Sequence, residues 1–249
     1  GLPASLVVTA GVTDGCASQF AAGAVEPGDW STTLGTTMVV KGVTRQPVAD
    51  PLGRLYNHRH PDGWWLPGGA SNTGAAWIAR DYPGEDPSFL DAAAAARTPT
   101  GQAAYPLTVQ GERFPFVSAE ARGFDPPGLD RLGRYAARLE GVAYLERLAY
   151  DLVERLSGEP VRTVSTTGGG SQGETWLRIR ASVLGRPVVR PRHPEGAVGA
   201  AIVAAGGVAF GSLAEAGRAM VTADLVVEPA ADAAAYAAGY ERFRAELVA

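Results

Sequence analysis

The 249 residues predict an α/β fold with a largely central sheet. Three observations carry that expectation. Short strand-like runs alternate with helical stretches along the chain. One stretch, residues 129–156, repeats Leu132, Tyr135, Ala136, Leu139, Val142 and Ala143 at three- and four-residue steps, the stripe of a core helix. Three of the strand-like runs lead into turns rich in glycine, threonine and serine, near residues 35, 69 and 169.

Taken in order, Leu6-Val7-Val8 reads as a strand and residues 10–15 as a turn that delivers one carboxylate, Asp14. Residues 16–24 suit a short helix, and Pro27-Gly28-Asp29 a turn. Residues 31–40 read as a β-hairpin with Leu34-Gly35-Thr36-Thr37 at its bend. Backbone N–H groups in such a Gly-Thr bend can cradle phosphate oxygens, and a nearby aspartate can take a proton from a hydroxyl. The plainer alternative is a turn aspartate and a hairpin glycine.

Residues 44–62 are polar and broken by proline, with His58 and His60 read as surface side chains. Residues 63–66 look like a buried strand. Residues 67–74 look like a glycine-rich turn into a helix, with Ser71 or Asn72 as N-cap. Residues 91–97 suit a short helix, 105–109 a strand, 111–116 an exposed aromatic and charged patch, and 123–128 a loop. In the long helix Arg138 and Glu146 fall outside the apolar stripe, and Gly158 ends it. A strand over 161–165, the loop 166–173, a helix over 174–184 and a strand over 187–190 follow. Helices close the chain at 196–205, 213–220 and 230–247. Residues 196–214 carry no charge, but their small side chains and the Gly206-Gly207 break suit a packed core helix better than a membrane span.

Composition excludes several classes. A net charge of -4 gives no basic surface for nucleic acid. The single cysteine, Cys16, fits a reducing compartment, the cytoplasm. Three histidines and one cysteine make a structural zinc site a poor expectation, and no signal peptide is visible.

The loop at 168–173 fits three readings. Gly168-x-Gly170-x-x-Gly173 is a dinucleotide fingerprint, with Glu195 spaced as a ribose-binding acid. Gly169-x-Ser171-x-Gly173 is a nucleophile elbow, but no triad acid precedes the one downstream histidine, His193. The third reading is a nucleotide-binding turn of another kind, and it alone uses the turns at Gly35, Gly69 and Gly169 together with Asp14.

That set resembles the carboxy-terminal domain of the FGGY carbohydrate kinases. The segment around Asp14, the Thr33-Leu34-Gly35-Thr36-Thr37 hairpin, the Gly69-Ala70-Ser71 turn, the Gly168-Gly169-Gly170-Ser171 loop and the stretch from Glu195 follow one another in the family's order. Gly111-Glu112-Arg113-Phe114-Pro115 is most similar to ribulose and xylulose kinase-type members. The resemblance implies an actin-like ATPase (RNase H-like) domain over residues 1–249, with the family's amino-terminal domain absent. It implies Asp14 as general base and a substrate contact. It implies Gly35, Thr36, Thr37, Gly69, Thr73, Gly169, Gly170 and Gly173 around ATP with Mg2+. A sugar, such as a ketopentose, would be the acceptor. Gly173 stands where some members have asparagine. The chain alone is expected to be inactive, and a homodimer is left open. The alternatives are an NAD(P)-dependent oxidoreductase using the 168–173 loop and a non-catalytic actin-like module.

Overall fold

Strand β1 (Asp29–Leu34) folds back on β2 (Met38–Gly42) across a three-residue bend, and the sheet grows outward from that hairpin. The computed structural model describes residues 3–231 and 233–248. Within them β3 (Tyr56–Arg59), β4 (Trp65–Ser71), β5 (Thr163–Thr167), β6 (Val188–Pro191) and β7 (Ala223–Val227) complete a sheet of order β3-β4-β2-β1-β5-β6-β7. The β1–β5 and β5–β6 pairs are parallel and the other pairs antiparallel.

Alternation along β1 sorts the two faces. Trp30, Leu34, Met38 and Val40 join the larger core, with α4 (Arg131–Ser157) and α5 (Glu174–Leu184). Gly23, just after α1 (Asp14–Ala21), lies against Ser165, the register partner of Ser31, so α1 covers the opposite face. There Cys16, Phe20, Ile202 and Leu213 form a smaller core with α6 (Gly196–Val208) and α7 (Leu213–Met220). Helices α2 (Ala76–Asp81), α3 (Pro87–Ala95) and α8 (Ala235–Val248) complete the chain.

Several sequence expectations are corrected. Leu6, Val7 and Val8 are exposed and outside any strand. Helix α1 begins at Asp14, because the Thr13 hydroxyl accepts from the Cys16 amide and caps it. Pro67 to Ser71 is strand rather than turn, and α2 starts after Ala75 with no side-chain cap. Helix α3 starts at Pro87, where Asp86 caps it. Of residues 105–109 only Tyr105 bridges, to Phe124. His60 is buried, its Nε2 3.1 Å from the Val25 carbonyl. The 111–116 patch is not exposed as a whole, since Glu112 and Phe114 are buried. Helix α6 runs through Gly206 and Gly207. A Cβ on Gly206 would lie 2.8 Å from the Leu213 Cα, so that glycine allows α6 to meet α7 rather than breaking the helix. Strand β7 was not anticipated, and α8 begins at Ala235 rather than 230, residue 232 lying outside the described residues. Among the described residues no helix is long and apolar enough to cross a membrane.

Much of helix α4 is enclosed, and three of its charged residues, Arg138, Glu140 and Glu146, are buried with partners. Arg180 of α5 is fully buried, with Nε and Nη2 each 2.7 Å from Glu146 and Nη1 2.6 Å from the Thr166 hydroxyl. Arg138 is clamped by Asp81 and Asp125. Glu140 accepts from the Thr100 amide at 2.6 Å and its hydroxyl at 2.5 Å.

Removing one partner of the Arg180–Glu146 pair strands a buried charge. Glu146→Ala is therefore expected to cost about 3–5 kcal/mol in denaturant unfolding, and a loss below 1 kcal/mol would contradict this account. Burial raises the Glu140 carboxyl from 4.5 to about 7. Between those values the folded chain holds a proton that the unfolded chain releases, so stability falls as pH rises from about 4.5 to about 7. Glu140→Gln should remove that part of the decline. Equal pH slopes for the two proteins would show that Glu140 does not titrate in this way.

Candidate functional site

Parallel pairing of β1 with β5 sets Thr33 opposite Thr167, their hydroxyl oxygens 2.9 Å apart. Both strands therefore leave the sheet at the same end, one into Gly35 and the other into Gly168. Gly168 has φ +85°, and a Cβ there would lie 2.6 Å from the Leu34 carbonyl oxygen. Conformation and close approach thus both require glycine. A Cβ on Gly170 would meet the Leu34 side chain at 2.6 Å. Gly169 differs, since nothing lies within 4 Å of the position its Cβ would take. The Ser171 hydroxyl donates to the Gly168 carbonyl at 2.7 Å and is buried, closing a short 3-10 turn (Gly169–Ser171). That serine is a structural tie and no exposed nucleophile.

The hairpin bend is held from the other side. Ala75 donates its amide to the Gly35 carbonyl at 2.8 Å, and Met38 donates to Thr73 at 2.9 Å. Gly74 closes the contact, because a Cβ there would lie 2.6 Å from the Thr36 carbonyl oxygen. Among the described residues the amides of Thr36, Thr37, Gly169 and Gly170 donate to no other group. Unsatisfied N–H groups in a bend and at the start of a helical turn favour anionic oxygens. This part of the chain therefore fits a phosphate chain lying against its backbone.

Asp14 opens α1, exposed, with Oδ1 accepting from the Gly15 amide at 2.7 Å. The first turns of α1 and α6 touch: a Cβ on Gly196 would lie 3.4 Å from the Ser18 hydroxyl and 4.0 Å from the Asp14 carbonyl oxygen. Helix α6 follows β6, which runs parallel to β5, so this corner lies at the Gly168 end of the sheet. A cleft of about 510 Å³ joins Gly168, Gly169, Arg190, Arg192 and Glu195. Arg190 is neutralised by Asp224 at 2.7 Å.

The sheet thus gathers Gly35, Thr36, Thr37, Gly169 and Gly170 at one end, with Asp14 on the helix start beside it. Gly173 immediately precedes α5, and a Cβ there would lie 2.8 Å from Asp91 Oδ1, whose carboxylate caps α5 through Thr175. Two expected residues stand behind the surface. Gly69 pairs with Val40 in mid-strand, where a Cβ would run into the Phe114 ring. Thr73 is 1% exposed and gives its hydroxyl to Glu112. Gly74, Asp91 and Glu112 were missed. Of these Gly74 had a signal in its place at the end of a glycine-rich segment, and Glu112 in the Gly111–Pro115 resemblance, which did not mark its role. The dinucleotide reading meets a sheet of the wrong kind, since β1–β2, β2–β4 and β6–β7 are antiparallel.

Gly169→Val should leave the melting temperature near that of the parent and weaken nucleotide binding at least tenfold, because its side chain enters open cleft. Gly168→Ala should lower both. Thermal unfolding and calorimetry with Mg-ADP read the two effects, and a reversed order would refute the geometry.

Comparison with known proteins agrees with this arrangement. The model of the FGGY family of carbohydrate kinases, C-terminal domain, matches residues 30–208. The xylulose kinase of Staphylococcus epidermidis is 29% identical over 243 residues, covering 92% of this chain and 48% of that protein. The gluconokinase of Bacillus subtilis is 27% identical over 204 residues, 74% of this chain and 40% of that protein. The structure of xylulose kinase from Rhodospirillum rubrum superposes with a TM-score of 0.86 at 28% identity, over 99% of this chain and 52% of that one. The chain spans about half the length of the curated relatives it matches. Its fold is the actin-like ATPase fold of these kinases. With most of its length matched by that model, the chain belongs to the FGGY family of carbohydrate kinases.

Proposed function

We propose that residues 1–249 form the nucleotide-binding half of an ATP-dependent sugar kinase, whose amino-terminal half, absent here, supplies most of the sugar site. The convergence of the Gly35 bend and the Gly168–Gly170 turn on one end of the sheet carries the reading. The acceptor in this proposal is the primary hydroxyl of a ketopentose such as ribulose or xylulose, in keeping with the xylulose kinases among the relatives.

Bound ATP, with Mg2+ held on its phosphates, would supply the transferable phosphoryl group. The amides of Thr36 and Thr37 would hold its terminal oxygens and offset the charge that develops there. The open face of Gly169 would let the nucleotide lie against the backbone. Asp14 would accept the proton of the attacking hydroxyl. Its exposed place at the start of α1 leaves it free to meet a sugar held by the other half. Closure of the halves would keep water from competing as acceptor. The buried Cys16 suits the reducing cytoplasm, where this activity would run.

In the complete enzyme, Asp14→Asn is expected to lower kcat by about 10²–10⁴, the usual contribution of a general base, with nucleotide affinity unchanged. Coupled turnover assays and calorimetry read both quantities. Parental kcat in the variant would overturn the role of Asp14.

A further inference from the structure

The hairpin bend has one bond of its own, from the Gly35 amide to the Thr37 carbonyl at 3.0 Å, and is otherwise held from outside. Its Gly35 carbonyl and Met38 amide are bonded to residues 73–75, so that corner sets where the bend sits. The corner in turn converges on one side chain, Glu112, which is 4% exposed. Its Oε1 accepts from the amides of Asn72 at 2.7 Å and Arg113 at 2.9 Å. Its Oε2 accepts from the hydroxyls of Ser71 at 2.8 Å, Thr73 at 3.1 Å and Tyr105 at 2.7 Å. Five donors meet a group with about four lone-pair sites, so the carboxylate is saturated. Among the described residues no cationic side chain pairs with it. A buried carboxylate held by neutral donors alone is costly, and apolar packing would fill the same space at less cost. What the carboxylate adds is direction: it fixes three consecutive residues, Ser71, Asn72 and Thr73, from one point.

We propose that Glu112 is a positioning residue for phosphate binding. By locking the 71–73 corner it holds the Gly35–Thr37 bend, and the Thr36 and Thr37 amides with it, where the β- and γ-phosphates of the nucleotide are met. Glu112 touches no nucleotide itself. The inference rests on the sugar-kinase reading and deepens it. It separates Glu112 from an ordinary structural residue by one property: its loss should be felt only by ligands that reach the bend.

The test uses the full-length enzyme that carries this chain, with Mg-ATP, Mg-ADP and AMP as probes. Glu112→Gln is the mild variant. Its amide oxygen can still face the two backbone N–H groups while its NH2 meets hydroxyls that turn to accept. Expected are a melting temperature near the parent's, a KM for ATP and a Kd for ADP raised about tenfold, and an AMP affinity within twofold of the parent's. Tyr105→Phe, which removes one donor of five, should act in the same sense by two- to threefold, and it decides the matter if Glu112→Gln does not fold. Equal weakening of AMP and ADP would overturn the proposal, as would parental ADP affinity and KM in a folded variant. A parent enzyme that binds none of the three nucleotides would instead remove the kinase reading on which the proposal stands.

Discussion

The parallel register of β1 on β5 is the constraint on which the rest depends. It sets Thr33 against Thr167, so Gly168 emerges against Leu34, beside the bend that Gly35 opens. A slip of β1 by one residue would turn Trp30 and Leu34 out of the core, so the core that stabilises the sheet also fixes the site. The two strands are far apart in sequence, and α4 and its neighbours fill the interval. Helix α5 then covers the pair, and Trp176 ties it down through a 3.0 Å bond from its indole N–H to the Leu139 carbonyl.

Beneath that register lies a layer of paired charge. Arg180 reaches from α5 to Glu146 on α4 and to Thr166, one residue short of the end of β5. The strand that delivers the glycine turn is therefore tied to both helices that cover it. Tyr150 does the same for β1, its hydroxyl 2.7 Å from that of Thr32. Polar ties of this sort have little net worth as stability, but each can be satisfied in one arrangement only. In a site where ångströms matter, that selectivity is the more useful property.

Much of this was legible in the sequence. The β1–β2 hairpin, the length of α4, the α5 and α7 spans and the loop at 168–173 announce themselves through turn chemistry, periodicity and caps, all of which are local. What stayed hidden depends on distant partners. Glu112 looked exposed because the donors that bury it lie at 71–73 and 105 as well as beside it. Arg138 and Glu146 fell outside the apolar stripe, and their burial was hidden because Asp81, Asp125 and Arg180 come from other elements. Gly69 resembled a turn glycine because its true reason, the Phe114 ring, is a tertiary contact. The short edge strand β7 shows no clear alternation, since most of it faces outward. In the site, the spacing of the 168–173 glycines left three readings open and the family resemblance chose among them, whereas Gly74 and Asp91 act through surroundings that spacing does not encode.

Almost every group gathered at the end of the sheet belongs to the main chain. Peptide N–H groups are the same whatever side chain follows, so polarity and charge at these positions exert little selection. Volume and backbone angle exert a great deal. Gly168 admits no Cβ, Gly170 and Gly74 leave no room for one, and Thr36 is exposed. Such a surface can drift far in side-chain chemistry while its path through space persists. Kinship among chains of this kind is therefore better measured by the course of the backbone than by the letters strung along it.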